Sequence, residues 1–116
     1  MSGLLSFLAN VLASGMSRRE GRRPMALTTY YRTKDGQADY RFSIEQQTDG
    51  TYRSFILAQP PYGSRATGPH ETHRLTDGGR RYVCWDRPLR SENEAQSVVA
   101  RWADATQEYI KSGRRF

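Results

Sequence analysis

From Ser91 to Gly113 the apolar positions recur with a helical period. Ala95, Val98, Val99, Trp102, Thr106, Tyr109 and Ile110 fall on one stripe, while Gln96, Ser97, Arg101, Asp104, Gln107, Glu108 and Lys111 face away. Ser91 followed by Glu94 predicts a capping box, in which the hydroxyl accepts from an orphan amide and the carboxylate accepts from the cap's own amide. Gly113 supplies the stop signal. A second, shorter stretch keeps the same period: Leu4, Leu5, Leu8, Val11 and Leu12 share a face, with Phe7 at its border. Ser2 to Met16 therefore reads as an amphipathic helix too short to span a bilayer, followed by a charged linker from Ser17 to Pro24.

From Leu27 onward the period changes to two, and Asp35-Gly36, Asp49-Gly50 and Asp77-Gly78-Gly79 punctuate the run as hairpin signals. A two-residue turn at Asp35-Gly36 places Leu27 opposite Ile44, Thr29 opposite Phe42 and Tyr31 opposite Tyr40. The same turn at Asp49-Gly50 places Ile44 opposite Phe55 and Phe42 opposite Leu57. Both registers gather Leu27, Tyr31, Tyr40, Phe42, Ile44, Phe55 and Leu57 on one apolar face, the floor for the helix. The other face then carries Thr28, Tyr30, Arg32, Asp39, Arg41, Ser43, Glu45, Tyr52, Ser54 and Ile56. Gln59 to Pro69 is a proline- and glycine-rich connection. Beyond it, Thr72–Thr76 and Arg80–Trp85 form a further hairpin, turning on either Gly78-Gly79 or Asp77-Gly78. The expected architecture is α+β: an antiparallel sheet of about five strands, a three-strand meander plus a hairpin, covered on one face by the C-terminal helix. Residues 1–24 form an appendage of helix and basic linker, and residues 25–116 a single domain.

Composition sharpens this picture without changing it. In 116 residues, 36% hydrophobic and 26% charged, one modest core fits. A lone cysteine, Cys84, leaves no internal disulfide and no multi-cysteine zinc framework, which suits a reducing, cytoplasmic setting. The net charge of +6 is placed unevenly: Ala26 to Ile110 holds eleven basic and eleven acidic side chains, so the excess lies in the two ends of the chain. Such arms attract polyanions without reading sequence. A secretion signal is disfavoured because the arginines follow the apolar run. The N-terminal helix suits docking to another protein or self-association through Leu4, Leu5, Leu8, Val11 and Leu12, and it leaves peripheral membrane contact open.

Candidate chemistry is sparse. His70 and His73 with Cys84 are the only imidazole and thiol groups, but their spacing matches no helix-borne zinc motif. No catalytic residue, metal or cofactor is assigned. An acid/base reading would combine His70 or His73 with Arg65, Arg74 or Tyr62 from the proline-rich connection, in the manner of a small ribonuclease. No phosphate-cradling loop, dinucleotide fingerprint or nucleophile elbow is present.

Three strands followed by a helix that opens at Glu94-Ala95 and carries Trp102 loosely resemble the sheet-reading DNA-binding domains at the start of phage-type integrases. The resemblance implies a sheet face entering the major groove, with Arg32, Arg41 and Arg53 as strand arginines. An extra hairpin before the helix, a neutral body and Arg53 on the covered face by the register above depart from that pattern. The primary expectation is a small non-catalytic binding module, a protein-interaction subunit reading its partner through Tyr30, Arg32, Arg41 and Tyr52, with Arg65, His70 and His73 as further contacts. DNA binding and a ribonuclease-like activity are the alternatives. Deleting residues 1–24 is expected to leave a folded domain and to alter oligomeric state, as size-exclusion chromatography with circular dichroism would read; an unfolded product would place that helix in the core.

Overall fold

The computed structural model describes residues 26–116, so the helix and linker expected within residues 1–24, with the docking face from Leu4 to Leu12, lie outside the described residues. Strands β1 (Ala26–Arg32), β2 (Asp39–Gln46) and β3 (Tyr52–Ala58) form the meander. A single helical turn, α1 (Pro69–Thr72), precedes β4 (Arg74–Asp77) and β5 (Arg80–Val83), and α2 (Glu92–Ser112) closes the order. The five strands make one antiparallel sheet in the order β1-β2-β3-β5-β4, with α2 packed on one face. The α+β class, the five-stranded sheet and the C-terminal helix are as the sequence predicts.

Turn length decides which registers follow expectation. Between β1 and β2, Thr33 pairs with Ala38 (N···O 2.9 Å) around four residues, not two. Adding one residue on each side keeps the parity, so Leu27 opposes Ile44, Thr29 opposes Phe42 and Tyr31 opposes Tyr40, as predicted. Between β2 and β3, Gln47 donates to Thr51 at 2.7 Å around three residues, and Gly50 sits at φ 87. The loop is closed by a left-handed residue, a conformation glycine adopts without a Cβ penalty. One extra residue shifts the register by one, giving Phe42 opposite Ile56, Ser43 opposite Phe55 and Ile44 opposite Ser54. Every side chain of β3 is thereby on the face opposite to the one expected: Tyr52, Ser54 and Ile56 face α2, whereas Arg53, Phe55 and Leu57 face away. A bulge then sets both Leu57 and Ala58 against Arg41.

The second hairpin turns on Gly78-Gly79, so Leu75 opposes Tyr82 and Arg74 opposes Val83. Its first strand is shorter than expected. Pro69, pre-set for a first helical position, starts a turn in which Thr72 donates from both its amide and its hydroxyl to the Gly68 carbonyl, at 3.0 and 2.9 Å. Cys84, expected in mid-strand, follows the end of β5, its amide donating to the His73 carbonyl at 2.8 Å.

α2 is built as its pattern demands. The Ser91 hydroxyl accepts from the Glu94 amide at 3.1 Å, and Gly113 at φ 83 ends the helix. The Glu94 carboxylate reaches the Arg90 amide at 2.9 Å, one residue earlier than a capping box requires, and pairs with Arg87 at 2.7 Å. Gln107, expected outward, is buried, and Ala103 joins the stripe. Trp102 is 2% exposed, and its ring stands edge-on to Tyr40 and Phe42 with centroids 5.9 Å from each. Its indole N–H donates to the Thr72 carbonyl at 3.0 Å, tying the helix to α1. Asp104 accepts from the Tyr31 hydroxyl at 2.7 Å and from the Lys34 amide at 2.9 Å, and this bond, with burial, pushes the Tyr31 phenol up to about 12.

Trp102→Ala is expected to cost on the order of 3–5 kcal/mol, since it empties a close-packed site and orphans the Thr72 carbonyl. Trp102→Phe should cost less. Urea unfolding followed by circular dichroism checks this, and parent-like stability of the alanine variant would contradict the packing.

Candidate interaction surface

The sheet face away from α2 is covered by no described element, and the register of β3 determines what it displays. One row runs across all five strands: Thr28, Ser43, Phe55, Tyr82 and Leu75. Phe55 is only 5% exposed although it lies outside the core packed beneath α2. Its cover is local. The Arg80 guanidinium lies 3.7 Å from the Phe55 ring centroid and continues to Glu45, with Nη2···Oε2 at 2.6 Å and Nη1···Oε1 at 3.2 Å. In the mirror arrangement Arg53 lies 4.2 Å from the Tyr82 centroid and reaches Asp77 at 2.7 Å. The two aromatic rings meet at 5.7 Å. Each arginine is thus strapped over a ring and held at its tip by a carboxylate, which combines cation–π attraction with charge-assisted hydrogen bonding.

Beside this centre, Tyr30 opposes Arg41, and Arg41 opposes Ala58 with the bulged Leu57 alongside. Tyr30 is 74% exposed and Leu57 is also exposed. Arg32 pairs with Asp39 at 2.9 Å. Among the described residues Arg41 takes part in no ion pair, whereas Arg32, Arg53 and Arg80 are each bound to an acid.

The expected site residues therefore divide. Tyr30, Arg32 and Arg41 share this face. Tyr52 does not: the register shift turns it toward α2, and its amide donates to the Leu89 carbonyl at 2.8 Å. Arg65 closes the far end of α2, donating to the Ile110 and Lys111 carbonyls at 3.2 and 3.1 Å, where it complements the negative end of the helix dipole. His70 is exposed on α1. His73, left-handed at φ 53, stacks on Phe116 at 4.5 Å between ring centroids and donates to that residue's main-chain oxygen. The proline-rich connection does not assemble an acid/base constellation from these parts: Tyr62 is buried against Tyr109 and under Arg74, whose Nη1 donates to Gln59. Nor is the C-terminal end a free basic arm. Lys111 pairs with Asp35 at 3.1 Å, Arg115 lies 3.8 Å from Glu71, and residues 113–116 turn back onto His73. Among the described residues no three of His, Cys, Asp and Glu are grouped to hold a metal ion, and no helix is long and apolar enough to cross a membrane.

Tyr82 and Arg80 owe their place to the β4–β5 hairpin and its pairing with β3, whereas Phe55 and Arg53 escape notice as surface residues because Asp49-Gly50 suggests a two-residue turn. The signal that could have found them is Thr51, whose hydroxyl and amide both donate to the Asp49 carboxylate and stabilise the longer loop. Compared with protein-family models, with characterised proteins and with solved structures, the chain matches none.

Arg80 holds the Glu45 carboxyl below the usual glutamate range, and the Ser43 hydroxyl adds to this. Because the folded pKa is depressed, the stabilisation is present above the unfolded value of about 4.3 and is lost as pH falls through the folded value. Glu45→Gln should cost about 1 kcal/mol or less at neutral pH. Thermal melts from neutral to acid pH should show the difference between parent and variant closing below about pH 4; a pH-independent difference would mean that the ion pair contributes nothing.

Proposed function

We propose that the chain is a small non-catalytic binding module that engages another protein through the sheet face opposite α2. The observation that carries this reading is the state of the arginines on that face: Arg32, Arg53 and Arg80 are bound to Asp39, Asp77 and Glu45, while Tyr30, Arg41 and Leu57 are presented together. Tyrosine and arginine are the residues that dominate protein interfaces, because each combines a large contact area with a polar tip. Duplex DNA would ask something else of the surface. Neutralising a run of phosphates needs free cations in series, and here each pairing acid would have to be displaced against its own repulsion for the duplex.

The sheet-reading DNA alternative gains one element from the register, since Arg53 lies on the same face as Arg32 and Arg41. It loses the use of that arginine to Asp77. The ribonuclease-like alternative has no such support, because Arg65, Arg74 and Tyr62 are all engaged in packing the connection against α2 and β4.

A photo-crosslinking amino acid in place of Tyr30, in the full chain, is expected to yield a discrete protein adduct. Arg41→Glu should abolish that adduct while leaving the melting temperature nearly unchanged, and Tyr30→Ala should weaken the isolated complex about tenfold. Selection from a random duplex DNA pool should give no sequence preference. A preference that Arg32→Ala and Arg41→Ala erase would replace this reading with the DNA-binding one.

A further inference from the structure

On the other side of the molecule, between α2 and the ends of β4 and β5, lies a groove of about 530 Å³ whose walls are Trp85, Ala105, Phe116 and the edge of Trp102. A second groove of about 380 Å³ continues from it and brings in Lys34 and Arg114. Arg101, Ala105 and Phe116 line both, so Arg101 stands where the apolar slot opens into the basic one. Its guanidinium lies 5.4 Å from the Trp85 ring centroid. None of the ion pairs among the described residues includes Arg101, Arg114 or Lys34.

Of the acids that share these walls, two are hydrogen-bonded elsewhere and the third, Asp86, is solvent-exposed near Arg87. Asp104 accepts from the Tyr31 hydroxyl and the Lys34 amide, Glu108 accepts from the Ser112 hydroxyl, and Asp86 lies 3.7 Å from Arg87. What remains is an aromatic-walled slot of ligand size with a guanidinium at its mouth that lies near Trp85 but has no acid partner among the described residues. A cationic ligand is repelled by that guanidinium, and an alcohol can accept from it only as a neutral acceptor. An anion gains more, and a planar carboxylate can take two of the guanidinium N–H donors at once.

We propose that this groove binds a small aromatic carboxylate, its ring against Trp85 and Phe116 and its carboxylate on Arg101. The ring buries against the slot, and the negative charge stays at the junction of the two grooves, in reach of Arg114 and Lys34 for longer-range attraction. His73, left-handed where it caps α1, has its ring 4.5 Å from that of Phe116 and hydrogen-bonds that residue's main-chain oxygen, which supports one wall of the slot. This assignment is independent of the sheet face, which lies across the sheet from it.

The test uses the full chain and three probes with one ring system: 2-naphthoate, 2-naphthylmethanol and 2-naphthylmethylamine, titrated by calorimetry with chemical-shift mapping. The expected result is saturable one-to-one binding of 2-naphthoate, about tenfold tighter than the alcohol, with the amine weakest. Arg101→Gln, at an exposed position, should bring carboxylate and alcohol to within about twofold by weakening the carboxylate alone. Trp85→Leu should weaken both. Shifts in the parent should centre on Ala105 and Phe116, a readout that holds even where the Trp85 variant folds poorly. Absence of saturable 2-naphthoate binding, equal affinity for the alcohol, a preference that survives Arg101→Gln, or shifts centred on Tyr30 and Leu57 would each overturn the assignment.

Discussion

The three-residue loop between Gln47 and Thr51 is the constraint on which both faces of the sheet depend. A strand alternates its side chains with a period of two, so the parity of one loop assigns each residue of β3 to the core or to the surface. With Gly50 left-handed at φ 87, Ile56 and Ser54 face α2 and Phe55 is exported to the opposite face. An exported phenylalanine needs cover. It receives Arg80 across its ring, and Tyr82, its neighbour on β5, receives Arg53. Glu45 and Asp77 then fix those arginines from β2 and β4, so four strands are laced together on the side that no described helix covers. Individually such exposed pairs contribute little; here each also lies over an aromatic ring, which lowers the freedom of the arginine and partly dries the contact.

α2 is held differently, by packing at its centre and polar ties toward its C-terminal end. Trp102 fills the space between Tyr40 and Phe42, and its N–H takes the Thr72 carbonyl. Farther along, Tyr109 donates to the Ala66 carbonyl, and Arg65 takes the Ile110 and Lys111 carbonyls that the helix cannot satisfy itself. Gly113 is favoured there by its φ of 83, which disfavours any side chain; a Cβ would also stand 2.9 Å from Arg65 Nη1, the end of a flexible side chain that would have to shift. The long proline-rich connection is thereby a structural clamp, which explains why its arginine and tyrosine are unavailable for chemistry.

The helix was legible in the sequence from end to end because its signals are local: a capping serine, a stripe at helical spacing and a glycine stop. The first hairpin was legible for a more accidental reason, since a four-residue loop preserves the parity of the two-residue turn assumed for it. The β2–β3 hairpin was not, because Asp-Gly is compatible with loops of either parity, and hydrophobic patterning did not arbitrate. Phe55 and Leu57 satisfy the core pattern in one register, Tyr52 and Ile56 in the other. The loop itself sets the parity, through the Thr51 bonds to Asp49 and the left-handed Gly50, and the arginines and acids of neighbouring strands make a surface phenylalanine tolerable. The groove at Trp85 was equally out of reach, because its walls come from residues 73, 84–86, 101, 102, 105 and 116, which only the fold brings together.

Charge reads differently once positions are known. The sequence places its excess at both ends, but the C-terminal basic residues are folded against Asp35, Glu71 and the groove, and do not extend as an arm. On the sheet face Arg32, Arg53 and Arg80 are held by acids while Arg41 is not; at the groove Arg101 and Arg114 form no ion pair among the described residues. The same residue type therefore serves two purposes in one small fold. Arginine fixed by a neighbouring carboxylate is a structural strap that also presents a rigid, charge-balanced surface, whereas arginine at the mouth of an aromatic slot still has its hydrogen-bonding capacity to offer. Counting arginines cannot separate these cases; only the placement of the acids can.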